Sequence, residues 1–231
     1  MKYIYSALVL FLLPVLSNAQ VEGLLHNKFG IRAGANLSTV NNSPSGDHTT
    51  PKGGFYVSGY YQFRLRHNIG LLAEAAYSRL GCTNNYNQNY WYGSQQIGQP
   101  SLGQTALCLN YFTVPVSLKF YITENYSLQM GLYGSALLNA VDKGSWTNTI
   151  STSNGYQTQI INYNQPLSNY FSSFDGGVHI GLGFETEEGI NFALKYYNSV
   201  TNNSKNFEQT TGKSLHNAFF QLTVGYSFGI H

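Results

Sequence analysis

Few residues of this chain have the type and spacing that covalent chemistry needs. Ser45, Asp47 and His48 carry the three side-chain types of a nucleophilic triad. They are nearly adjacent in a stretch rich in Pro, Gly and Thr, whereas a triad needs a rigid scaffold to set its geometry. A surface loop is the expected reading. Glu187 and Glu188 fall in a turn facing water, a poor place for general acid–base work. Glu74 and Glu185 are candidates for a carboxylate pair, but nearby basic residues make ion pairing the simpler role. His179 stands alone and reads as an interior residue. No Cys/His cluster has zinc spacing, and no glycine loop suits a phosphate. No catalytic residue, metal or cofactor is therefore expected.

The elements that must position these side chains are strands. Eight segments alternate apolar and polar at period two, near 28–37, 54–65, 69–79, 107–121, 126–140, 173–186, 189–200 and 217–228. In the second, Phe55, Val57, Gly59, Tyr61 and Phe63 share one face, and Tyr56, Ser58, Tyr60, Gln62 and Arg64 share the other. Three connections are short: 66–68, 122–125 and 187–188. Four are long and polar: 38–53, 80–106, 141–172 and 201–216. Short and long connections fall at opposite ends of the strands, an asymmetry that membrane β-barrels show. The expected fold is all-β: an eight-stranded antiparallel up-and-down transmembrane β-barrel in one domain.

Alternation alone does not say which face points outward. Charged residues make up 10% of the chain, well below the roughly 25% of an average soluble domain, while aromatics reach 15%. The mean hydropathy, −0.20, is too low for a bundle of membrane helices. Twelve basic and ten acidic residues leave a balance of +2, without the basic stripe of a nucleic-acid binder. The polar face is poor in charge and rich in Gly, Ser, Tyr and Gln. Aromatics gather at both ends of the apolar face: Phe63, Phe120, Tyr126, Phe184 and Phe228 at one, Phe55, Tyr77, Phe112, Phe174, Tyr196 and Phe220 at the other. Two such bands around an aliphatic belt match the two interfaces of a membrane. With the apolar face outward, Arg32, Arg64, Glu74, Lys119, Asp175, His179, Glu185 and Lys195 point into the lumen. That lumen is barely wide enough for its own side chains, so these charges are expected to pair there.

Residues 1–19 read as a signal peptide: Lys2, an apolar run from Ala7 to Leu16, then Ser17-Asn18-Ala19. The mature domain then spans 20–231. An exported chain meets an oxidising compartment, where Cys82 and Cys108 can pair; such a loop closure is worth roughly 3 kcal/mol. Pro115, inside the fourth strand, predicts a local irregularity. Leu107 and Leu109 read as outward, and a bulge near Asn110-Tyr111 would reconcile them with outward Phe112 and Val114 and turn Cys108 inward.

Several stretches carry a family likeness: KFGIRAGANLS (28–38), Gly54 to Leu65, Leu71 to Gly81, LNYFTVPV (109–116), GLGF (181–184) and Phe220 to Phe228. Together they resemble the bacterial outer-membrane β-barrel domain family, porin-like and grouped with PorT-type proteins. The resemblance implies an eight-stranded barrel in the outer membrane and no reaction; some PorT-like members serve type IX protein secretion. The ending departs from a common family pattern, since Gly229-Ile230-His231 follows the last aromatic.

The expected role is structural or interactive, in outer-membrane lipid, through long extracellular loops. Their contact candidates are Tyr86, Tyr90, Trp91, Tyr92, Trp146, Tyr156 and Tyr163, facing envelope or secretion proteins or surface glycans. The alternatives are a secretion-machine component, a narrow channel and a soluble lipocalin-like carrier.

Overall fold

The computed structural model describes residues 27–41, 49–88, 91–92, 95–96, 101–152, 155–205 and 215–229. The expected signal segment and the Ser45, Asp47, His48 group lie outside the described residues. Eleven strands follow along the chain: β1 (Lys28–Asn41), β2 (Thr49–Arg66), β3 (Ile69–Gln88), β4 (Trp91–Tyr92), β5 (Gln95–Gln96), β6 (Ser101–Tyr121), β7 (Tyr126–Thr152), β8 (Gly155–Pro166), β9 (Phe174–Glu185), β10 (Ile190–Ser199) and β11 (His216–Gly229). Antiparallel pairing in the order β6-β3-β2-β1-β11-β10-β9-β7, with β7 returning to β6, closes eight of them into a ring. Closure leaves no unpaired edge to face lipid. The remaining strands stand apart from the ring: β8 pairs with β7, and β4 with β5.

The ring strands agree with the period-two segments at their short-turn ends to within a residue or two. The β9–β10 turn closes at Gly189, whose φ of +89° is a conformation that only glycine adopts cheaply. The long-loop ends differ. β3 runs on to Gln88, β6 starts at Ser101 and β7 continues to Thr152, so much of the expected loops 80–106 and 141–172 is strand. These extensions are rich in Asn, Gln, Ser and Thr, with Leu102, Val141, Trp146 and Ile150 scattered among them. They show no sustained period-two alternation, so periodicity could not mark them.

Exposure decides the orientation of the ring. Leu118, Ile180 and Val224 are 42%, 50% and 48% exposed, whereas Lys119 and Lys195 are 3% and 1% exposed. An apolar exterior around a polar interior overturns the soluble-carrier alternative, which needs the reverse. Register assembles the aromatic bands. At the long-loop end Phe55 stacks on Tyr77 (5.4 Å), Tyr77 is opposite Phe112, and Tyr196 packs on Phe220 (4.9 Å). At the short-turn end Phe29 stacks on Phe228 (5.2 Å) and Tyr126 packs on Phe184 (5.0 Å).

β6 carries two irregularities. The β3–β6 ladder has no partners recorded between Ala73↔Val116 and Ala76↔Thr113, the stretch where Pro115 removes a donor. The β6–β7 register shifts at Asn110/Tyr111, as expected, but the extra residue is Leu138 of β7. β6 itself stays in continuous register with β3 there, Ser78↔Tyr111 and Arg79↔Asn110. Leu107 and Leu109 therefore face inward and are buried, correcting the outward assignment.

Val116 sits in the middle of the exposed belt. Val116→Arg is expected to destabilise the folded barrel by roughly 2–4 kcal/mol in a reversible lipid-folding titration.

Candidate functional site

Period-two alternation sends one residue in two inward, and ring closure decides which of them meet. The centre of the lumen is Glu74 on β3. Its Oε1 accepts from Lys195 Nζ of β10 and from Arg32 Nη1 of β1 (3.4 Å). Its Oε2 accepts from Tyr56 Oη (2.9 Å) and Ser58 Oγ (3.3 Å) of β2. Arg32 donates from Nε to Asn191 Oδ1 (2.7 Å) and lies over the Tyr60 ring, 4.3 Å from its centroid. Asn191 and Ser227 tie Tyr60 into the same group.

Glu185 forms a second centre near the short-turn mouth. It pairs with Lys28 (2.8 Å) and Lys119 (3.1 Å) and accepts from Ser227 Oγ (2.9 Å). Lys119 also donates to Gln62 (2.9 Å). Ser227 and Asn191 link the two centres, so one network joins β1, β2, β3, β6, β9, β10 and β11.

The other lumen candidates are placed differently. Asp175 is held by neutral donors: Ser199 Oγ, Thr201 Oγ1 (3.0 Å) and Asn217 Nδ2 (2.8 Å). His179 shares a hydrogen bond with Ser117 through Nε2 (2.8 Å) and stacks on Tyr197, while its Nδ1 has no partner. Arg64 is not in the lumen network. It lies at the short-turn rim, partly exposed, donating to the His67 carbonyl (2.8 Å) with its guanidinium over Tyr121. The strand ends two residues later, and the rim gives that long side chain a route to water.

Sequence reasoning named the charges but missed their neutral partners Tyr56, Tyr60, Gln62 and Asn191, and it left out Lys28. All share the inward parity; only the closed register reveals who meets whom.

Above the charges the lumen changes character. Leu80, Leu107, Leu109, Tyr111, Tyr133, Tyr197 and Phe219 form a buried apolar cluster, capped by Phe171 from the segment after the short 3₁₀ turn Ser168–Tyr170. Tyr197 and Phe219 stack face to face at 4.5 Å. This cluster had no counterpart in the expected polar interior.

Cys82 belongs to the same cluster, opposite Leu107, while Cys108 is opposite Gly81 on the other face of the sheet. No disulfide joins them: adjacent strands place the two thiols on opposite faces. Both lie above the outer aromatic band. Burial pushes the Cys82 thiol up to about 11. Burial also raises Cys108, but hydrogen bonds from Lys52 and Arg79 outweigh it and bring that thiol below its ordinary value.

Of the contact candidates, Tyr86 lies on β3, Trp91 and Tyr92 on β4, Trp146 on β7, and Tyr156 and Tyr163 on β8; Tyr90 lies outside the described residues. Tyr86, Gly103, Trp146 and Ile161 occupy one cross-strand row of the outer sheet.

A family-model comparison agrees with this architecture. The model of a family described as outer membrane protein beta-barrel domain matches residues 18–205. Among solved structures the chain is similar to Ail, the attachment invasion locus protein of Yersinia pestis (14% identity, TM-score 0.44, covering 87% of this chain and 99% of that one). It is also similar to Neisserial surface protein A (12%, 0.42, 87% and 97%) and to OprG from Pseudomonas aeruginosa (13%, 0.35, 87% and 96%). No curated protein matches the chain in sequence.

Two measurements test the site. Glu74→Ala leaves Lys195 and Arg32 buried without their anion and is expected to cost roughly 3–5 kcal/mol in a denaturant titration, with part recovered by adding Lys195→Met. At neutral pH, N-ethylmaleimide is expected to modify Cys108 ahead of Cys82, with Lys52→Met slowing the reaction, as followed by mass spectrometry.

Proposed function

The chain belongs to the outer membrane protein beta-barrel domain family, and from that premise we propose that it is a non-conducting membrane anchor whose outer sheet binds partners at the cell surface. One observation carries this reading: the lumen is filled along its length. Ion pairs around Glu74 and Glu185 occupy its lower and middle parts, and the aromatic cluster around Tyr133, Tyr197 and Phe219 occupies the top. An ion crossing such a ring would have to displace both.

The reading is non-enzymatic. Glu74 and Glu185 are committed to buried cations, an arrangement that suits structure better than proton transfer. A signal peptide at 1–19 would deliver the chain to the envelope. On this reading the short-turn end faces the periplasm and the long-loop end the exterior, with the extensions of β3, β6 and β7, and β8, outside the cell. Their Tyr, Trp, Asn and Gln content suits contact surfaces, since Tyr and Trp give broad contact area at low entropic cost. Envelope proteins and surface glycans are the partner classes this composition fits.

Planar-bilayer recording separates the anchor from the narrow channel. The wild-type chain is expected to give no unitary conductance steps, and the Tyr133→Ala/Phe219→Ala variant to raise the leak. Regular steps from the wild-type chain would establish the channel instead.

A further inference from the structure

At the long-loop end of the lumen, the start of β9 meets the end of β10. Asp175, the second residue of β9, is 0% exposed. Its Oδ2 accepts from Asn217 Nδ2 (2.8 Å). Its Oδ1 meets two hydroxyls, Ser199 Oγ and Thr201 Oγ1 (3.0 Å). Those hydroxyls crowd further oxygens. Ser199 Oγ lies 3.1 Å from the Thr201 carbonyl, 3.4 Å from Thr201 Oγ1 and 3.5 Å from the Gly176 carbonyl. Thr201 Oγ1 lies 3.3 Å from the Gly176 carbonyl.

Six oxygen–oxygen contacts therefore join five oxygens. A carboxylate and a carbonyl bring no hydrogen, and each hydroxyl brings one. At most two of the contacts are hydrogen bonds; in the other four, lone pairs face lone pairs. Backbone donors relieve part of this. Val200 N and Thr201 N donate to the Gly176 carbonyl (2.9 and 3.2 Å), and Gly176 N donates to Thr201 Oγ1 (2.9 Å). The excess of lone pairs then centres on Asp175 Oδ1, Ser199 Oγ and the Thr201 carbonyl.

Tyr133 points to the same place. Tyr133, Gly177 and Ser199 occupy one cross-strand row. Gly177 has no side chain, and a Cβ there would stand 2.8 Å from Tyr133 Cε1 and 2.8 Å from Ser199 Cα. The ring therefore lies across Gly177 toward Ser199, and Ser199 and Asp175 both act on its hydroxyl. Tyr133 is only 5% exposed, and that hydroxyl has no hydrogen-bond partner.

We propose that Asp175, Ser199 and Thr201 hold a hard monovalent metal cation, sodium, with Tyr133 Oη as a further oxygen. A cation turns facing lone pairs from a cost into a donor set. Oxygen-only donors select hard cations over thiol-seeking metals. Burial sets the valence: one carboxylate balances one positive charge, whereas a divalent ion would leave net charge inside. Thr201 is partly exposed and gives the ion a route from the long-loop side. The ion would fasten β9 to the segment after β10. That segment in turn holds the lumen cap, since Ser172 N donates to the Asn203 carbonyl (2.8 Å) and Phe171 bridges to Ser204.

The test uses the full chain in phosphatidylcholine vesicles, unfolded reversibly by urea. Sodium chloride is exchanged for N-methylglucamine chloride at constant ionic strength. The wild-type midpoint is expected to rise with sodium; above half-saturation, each tenfold rise in sodium raises the folding constant about tenfold. Asp175→Asn keeps the shape and removes the charge. It is expected to lose the sodium response, with a sodium-free midpoint no lower than the wild type's. Thr201→Val is expected to weaken the response severalfold. Sodium-23 resonances are expected to broaden with wild-type vesicles and to stay narrow with D175N vesicles. A wild-type midpoint equal in both salts, or a full sodium response in D175N, would overturn the proposal. D175N destabilised equally in both salts would make Asp175 a hydrogen-bond acceptor only and overturn it as well. A response to calcium chloride without one to sodium would overturn the valence.

Discussion

A ring of eight strands encloses a space scarcely wider than the side chains that point into it. That confinement governs the rest of the molecule. A polar group placed inside has no bulk water to turn to, so its partner must come from another strand. Glu74 meets the demand with four donors from three strands. Glycine supplies the complementary half of the solution. A Cβ at Gly30 would stand 2.4 Å from Tyr60 Oη, one at Gly225 2.4 Å from Arg32 Cγ, and one at Gly183 2.3 Å from Gln129 Nε2. The large polar side chains fit because their neighbours on the adjacent strands have none.

Polarity also changes along the axis. The ion pairs occupy the short-turn and middle parts, where Lys28 keeps a 30% exposed side chain at the rim, while Asp175 stands near the long-loop end among neutral donors. Aromatic and aliphatic side chains occupy the long-loop half. The order has a consequence for energetics. An apolar seal at the outer end keeps external water from the ion pairs and holds them in a low-dielectric setting, where pairing is strong and an unpaired charge is costly. The seal and the network therefore protect one another, and each contributes to closing the lumen.

Much of this was legible because a period of two survives in any strand with one face in lipid. The strand positions, the outward face, the two aromatic bands and the inward charges all follow from it. Three features escaped for identifiable reasons. Leu107 and Leu109 were misplaced because the bulge lies at Leu138 on the neighbouring strand, and one strand's parity carries no record of its partner's extra residue. Arg64 was drawn to the rim by the end of its strand, which alternation ignores. The partners of the charges, such as Asn191 for Arg32, lie far away in the chain and are set by ring closure. Parity says that both point inward but not that they share a height.

The outer sheet escaped for a different reason, and that reason explains its chemistry. A strand that must fold alone needs an apolar face to bury. β3, β6 and β7 do not fold alone above the membrane, because their lower halves are already registered by the ring. Their extensions inherit that register and need no apolar period of their own. β8 inherits it in turn by pairing with β7. A sheet positioned from below in this way depends less on apolar alternation for its folding. The same anchoring that made these strands invisible to periodicity thus leaves their surfaces available for contact.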